Sequence, residues 1–214
     1  MPDNAPFDGR KAVVCCRLAI MLCSAEDNIL TEALQTALKQ GLTADEIREI
    51  ILTSYLFDGY PTAVEGFRLI DKLAPSSSTD DGACFYSPEN VAQWRQRGAA
   101  LCQLIYGRQY ETLMNRVQSF APELKDAMLV EGYGKVLARP KLDIRLRELC
   151  VVAILAFKNR PRQLLSHLLG ALRLKVPPQS IMQAILSQNE ILPPHSIILF
   201  ERVIDRALEN YDMS

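Results

Sequence analysis

No C-x-x-C pair occurs in this chain, although it has six cysteines, and only two histidines accompany them. That spacing leaves no visible zinc site and no thiol redox pair. An excess of charge of either sign is missing too. Twenty-four basic and 25 acidic residues give a net charge of −1 and a pI near 6.2, so no electrostatic case exists for nucleic acid or an anionic membrane as partner. The longest unbroken apolar run, residues 149–157, has nine residues, under half of the roughly 20 that span a bilayer. The opening MPDNAPFDGRK carries early acids and no apolar stretch of signal-peptide type, and a cytoplasmic protein is expected. Runs of alternating β-branched residues and Asn-Gly turns are also lacking, which leaves an all-α protein.

What is present is a repeat. Residues 42–71 align without a gap on residues 176–205 at an offset of 134, so that Ile47 meets Ile181, Ile51 meets Ile185, Arg68 meets Arg202 and Asp71 meets Asp205. A repeat of this length is a supersecondary unit whose copies bury a shared apolar face. The copies differ in chemistry. At the same offset His167 meets Ala33 and Glu148 meets Val14, while Gly59-Tyr60-Pro61 meets Pro193-Pro194-His195.

Helix signals fill most of the chain. Thr43 and Glu46 form a capping box for a helix over about 44–57. Pro61 suits the first turn of the next helix. Residues 74–90, rich in Pro, Ser and Asp, read as a connector that contains Cys84, the one thiol expected to be exposed. Helices are expected from Ser87 to about 105, over 109–119 and over 122–137, where Arg139-Pro140 stops the last. Asp143 caps a helix through 157 whose second half is apolar on every side and therefore central. Asn159 with Pro161, Pro177-Pro178 and Pro193-Pro194 each start one more. The resulting segmentation is a first repeat over 1–75, a linker over 76–90 and a second repeat over 91–214.

The chemistry is expected on the central helix and its successor. Glu148 precedes the apolar run, and His167 follows 19 residues later on the next helix, where antiparallel packing can bring the two together. A carboxylate and an imidazole so placed can move a proton near neutral pH. The same residues equally suit a buried salt bridge and nothing more. Arg160 and Gln163 lie at the start of the histidine's helix, where backbone N–H groups favour an anion. Arg145 and Arg147 read as solvated or ion-paired surface residues.

Arg139-Pro140-x-Leu142-Asp143-x-Arg145-x-Arg147-Glu148-Leu149 resembles the RPxLDxRxRE segment of γ-carboxymuconolactone decarboxylases. Leu164-x-x-His167-x-x-x-Ala171 resembles their histidine motif, and Leu42-Thr43-x-x-Glu46-Ile47-x-Glu49 with Gly59-x-Pro61 resembles their LTxEEIxE…GxP element. Tyr133-Gly134 is similar to the aromatic-glycine pair before the RP turn. The resemblance implies an alkylhydroperoxidase D-like helical bundle with an internal duplication, and a cofactor-free, metal-free lyase acting on a small organic acid or lactone. Glu148 and His167 would be its catalytic pair, with Arg145, Arg160, Gln163 and Tyr133 around the substrate. It further implies a homo-oligomer, with a trimer as the first expectation. The wider superfamily has a redox motif of glutamate, C-x-x-C and histidine. Glu148 and His167 fit its ends, but the cysteine positions fall on Arg160 and Gln163. A thiol peroxidase of that type is therefore disfavoured. A non-catalytic binding protein on the same fold is the other alternative.

Overall fold

The computed structural model describes residues 6–76 and 86–212; Cys84 and most of the connector lie outside them. Among the described residues the protein is all-α, with no strand. The helices are α1 (Gly9–Leu22), α2 (Asp27–Lys39), α3 (Ala44–Asp58), α4 (Tyr60–Leu73), α5 (Pro88–Tyr106), α6 (Tyr110–Phe120), α7 (Pro122–Ala127), α8 (Ile144–Phe157), α9 (Pro161–Arg173), α10 (Pro178–Leu186) and α11 (Pro194–Asp212).

Local chemistry accounts for the ends. Thr43 accepts from the Glu46 amide while the Glu46 carboxylate accepts from the Thr43 amide, completing the capping box. Asp8 caps α1 and Asp143 caps α8 through their carboxylates. Gly59, at φ 91°, ends α3 and lets α4 begin at once. Asn159, at φ 54°, does the same between α8 and α9.

The helices form two compact units, one of α1–α4 with α8–α11 and the other of α5–α7 with residues 128–137. These boundaries differ from the segmentation read from the sequence: the described residues up to 75 share a core with those from 141 onward, and the described residues between them form a unit of their own. The reason is α8. Every residue from Arg145 to Ala156 is buried, so this helix needs neighbours on all sides and takes α1 and α3 as well as α9.

Within that larger unit helix starts recur. Helices begin at 9, 27, 44 and 60, and again at 144, 161, 178 and 194. The last three pairs keep the sequence offset of 134, whereas the caps of α1 and α8 set their register at 135. This moves the residue opposite Glu148 from Val14 to Val13 and sets Cys15 opposite Cys150. Packing recurs too: α1 lies against α10 as α8 lies against α3, and α2 against α4 as α9 against α11. Helices α1 and α8 meet directly, and the Cys16 thiol donates to the Leu149 carbonyl at 3.5 Å.

The smaller unit departs from expectation at one place. Residues 122–137 are α-helical only through Ala127, and Met128–Leu137 is a π-helix. Here the backbone runs against α5: a Cβ on Gly98 would sit 1.9 Å from the Leu129 carbonyl oxygen, and one on Gly134 would sit 2.0 Å from that of Trp94. The wider π turn accompanies this glycine-to-glycine crossing, which hydrophobic periodicity does not reveal.

Candidate functional site

Two adjacent residues of α8 point in different directions and make two buried polar contacts. Glu148 faces α9. The left-handed turn at Asn159, with Pro161 in the first turn of α9, folds that helix back along α8 and brings His167 alongside. His167 Nδ1 lies 2.8 Å from Glu148 Oε1, and the two side chains are 5% and 2% exposed. Antiparallel packing of α8 and α9 thus brings the two together, as their spacing allowed. The Phe57 ring of α3 meets the imidazole edge-on, with centroids 6.0 Å apart.

Arg147 faces α3 and is fully buried, which corrects its expected place at the surface. Its Nη2 donates to Glu49 Oε2 at 2.9 Å, and its Nη1 donates to Thr53 Oγ1 at 2.9 Å and to the Glu49 carbonyl at 3.2 Å. Thr53 in turn donates to the Glu49 carbonyl at 2.8 Å. Glu49 and Thr53 are one turn apart on α3, so both face the guanidinium. Residue type hid this network: an arginine beside an apolar run reads as surface until its partner, 98 positions away, is known. Farther along, Lys158 at the end of α8 bonds Asp58 at the end of α3, and Thr62 donates to the same carboxylate.

The remaining expected substrate contacts have surroundings of their own. Arg145 is buried but engaged by its own cap, donating through Nη2 to Asp143 Oδ2 at 2.5 Å, and its guanidinium lies 5.5 Å from the Phe7 ring centroid. Burial opposes ionisation of Asp143, but the side-chain and backbone hydrogen bonds from Arg145 outweigh it and hold this carboxyl below the usual aspartate range. Arg160, which precedes α9, and Gln163, in its first turn, are exposed. Tyr133 belongs to the smaller unit, where its hydroxyl lies 3.3 Å from that of Tyr106.

The dyad can hold and aim a proton. With Glu148 ionised, its contact assigns the proton of the ring to Nδ1. Cys15, Cys16 and Cys150 are buried. The neighbouring Cys150 thiol, followed by burial, pushes the Cys15 thiol up, and burial raises Cys16; burial also carries Cys23 to about 11. Among the described residues no three His, Cys, Asp or Glu side chains converge as a metal site requires, and no described helix is long and apolar enough to cross a membrane. A cavity of about 200 Å³ lies between α1 and α2, and neither Glu148 nor His167 lines it. No family model matches the chain, and none of the curated proteins matches it.

Proposed function

We propose that the protein is a cofactor-free lyase of carboxymuconolactone decarboxylase type, using Glu148 and His167 to move a proton to or from a small organic acid or lactone. The observation that carries this reading is the 2.8 Å contact between the two side chains in a dry setting. A carboxylate that fixes one ring nitrogen orients the other, and burial strengthens the electrostatics between them. In a decarboxylation the bond between the carboxylate and its carbon breaks, carbon dioxide leaves, and the electron pair stays on the substrate. Protonated His167 delivers its proton to that carbon and is recharged from solvent. A well-placed acid of this kind contributes about 10²–10⁴-fold. Resemblance adds an alkylhydroperoxidase D-like fold with a duplicated unit and a homo-oligomer, with a trimer as the first assembly to test by light scattering, and the composition adds a cytoplasmic setting.

The near-complete burial of both groups favours a second reading, in which the dyad and the Arg147–Glu49 pair hold three helices together in a non-catalytic binding protein. The thiol peroxidase reading gains nothing from the buried Cys15, Cys16 and Cys150.

The deciding experiment follows carbon dioxide release from a panel of unsaturated lactone acids. Turnover that falls at least about 100-fold in both His167→Gln and Glu148→Gln supports the lyase. No turnover on any member, or turnover unchanged in His167→Gln, overturns it.

A further inference from the structure

The groove between α1 and α2 contains the counterpart of the histidine's position. On α9 the dyad's imidazole projects from residue 167; the residue at the same place on α2 is Ala33, a methyl group. A cavity of about 200 Å³ opens there, floored by Leu18, Met21, Ala33 and Ala37. It is smaller than the roughly 300–1,000 Å³ of sites for drug-sized ligands and suits a compact metabolite.

Its charged groups have opposite signs and stand on opposite walls, with the uncharged Thr36 and Gln40 also on the α2 side. Arg17 lines it from α1 and Glu32 from α2. They make no ion pair with each other. Among the described residues Arg17 reaches only Glu190, at 3.8 Å, through side chains that are 42% and 78% exposed, an exposed contact of little energetic value. Among the described residues Glu32 has no ion-pair or hydrogen-bond partner. A cation and an anion that share one apolar-floored cavity without neutralising each other leave both charges for a ligand that carries the complementary pair.

We propose that the α1–α2 groove binds a small zwitterion with an apolar tail, an aliphatic α-amino acid, its carboxylate on Arg17, its ammonium on Glu32 and its side chain over Leu18, Met21 and Ala33. A planar guanidinium can grip the carboxylate through two parallel hydrogen bonds, and the two alanines let the tail lie close to α2. This site is separate from Glu148 and His167, and it stands or falls independently of the lyase reading.

Calorimetric titration of the full chain tests it with three probes: leucine, 4-methylpentanoate (leucine without the amine) and 3-methylbutylamine (leucine without the carboxylate). Leucine is expected to saturate one site, with each singly charged probe at least about tenfold weaker. Arg17→Gln should weaken leucine by about tenfold or more and leave 3-methylbutylamine unchanged, and Glu32→Gln should weaken leucine similarly and leave 4-methylpentanoate unchanged. Both residues reach solvent, so these variants fold. Ala33→Phe fills the groove and should abolish binding of all three probes, with circular dichroism unchanged. Failure of leucine to saturate the protein at about 10 mM, equal binding of leucine and 4-methylpentanoate, or full-strength leucine binding in Arg17→Gln would each overturn the proposal.

Discussion

Arg147 and Glu49 form an ion pair in which both side chains are almost wholly excluded from water, 1% and 3% exposed, with Nη2 and Oε2 at 2.9 Å. They tie α8 to α3 across 98 residues of sequence. Desolvating two charges is costly, and the guanidinium offsets that cost by also bonding Thr53 and the Glu49 carbonyl.

Removing one partner should therefore hurt more than removing both. Arg147→Met leaves a carboxylate buried without its counter-charge, and a loss of about 3–5 kcal/mol is expected. The double variant Arg147→Met with Glu49→Gln should recover at least half of that loss. Urea denaturation of the single and double variants checks the order; a double variant less stable than Arg147→Met would contradict it.

The same pair shows what a sequence can reveal. Caps are local, so Thr43 with Glu46 and Asp143 are legible as helix starts, and the structure has them. An all-apolar run has to be enclosed, so the central place of α8 is legible too. The nearness of Glu148 and His167 follows from a short turn between two helices. Burial of Arg147 does not, because it depends on a partner brought in by tertiary packing. The crossing at Gly98 and Gly134 is hidden for the same reason, and so is the division into units, since residues 1–75 join 141–214 through contacts between distant helices. The exposure of Arg160 and Gln163 is likewise a matter of which face of the helix start they occupy.

Cysteine reactivity should follow burial. With its thiol raised to about 11, Cys23 is about one part in a thousand thiolate near pH 8 and should alkylate slowly with iodoacetamide. Cys15, Cys16 and Cys150 should label only after unfolding. Peptide mapping by mass spectrometry with and without guanidinium chloride reads this directly. Rapid native labelling of Cys15 or Cys16 would reopen a thiol mechanism.

Asp143 should make the fold acid-sensitive. Its folded pKa is depressed, so its contribution is present above the unfolded carboxyl value, near 3.9, and is lost as pH falls through the lower folded value. Asn keeps the capping geometry but loses the charge facing Arg145. Asp143→Asn should thus be less stable than the natural protein by about 1 kcal/mol near neutral pH, with the gap closing in acid. Denaturation midpoints across pH measure it, and a gap that widens in acid would refute the assignment.

Gly98 and Gly132 provide a matched contrast in the smaller unit. An alanine Cβ at 98 would lie 1.9 Å from a backbone oxygen and 2.8 Å from the Gly134 nitrogen, whereas one at 132 meets nothing nearer than the Ala127 oxygen at 3.8 Å. A backbone atom cannot rotate away as a side chain does, so the two helices must separate. Gly98→Ala is expected to cost about 1–3 kcal/mol or more and to speed amide hydrogen exchange across residues 88–137. Gly132→Ala fits in ordinary contact and replaces a poor helix former, so it should be neutral or stabilising by up to about 1 kcal/mol. If both variants exchange like the natural protein, the close crossing of α5 and residues 128–137 is not what holds this unit together.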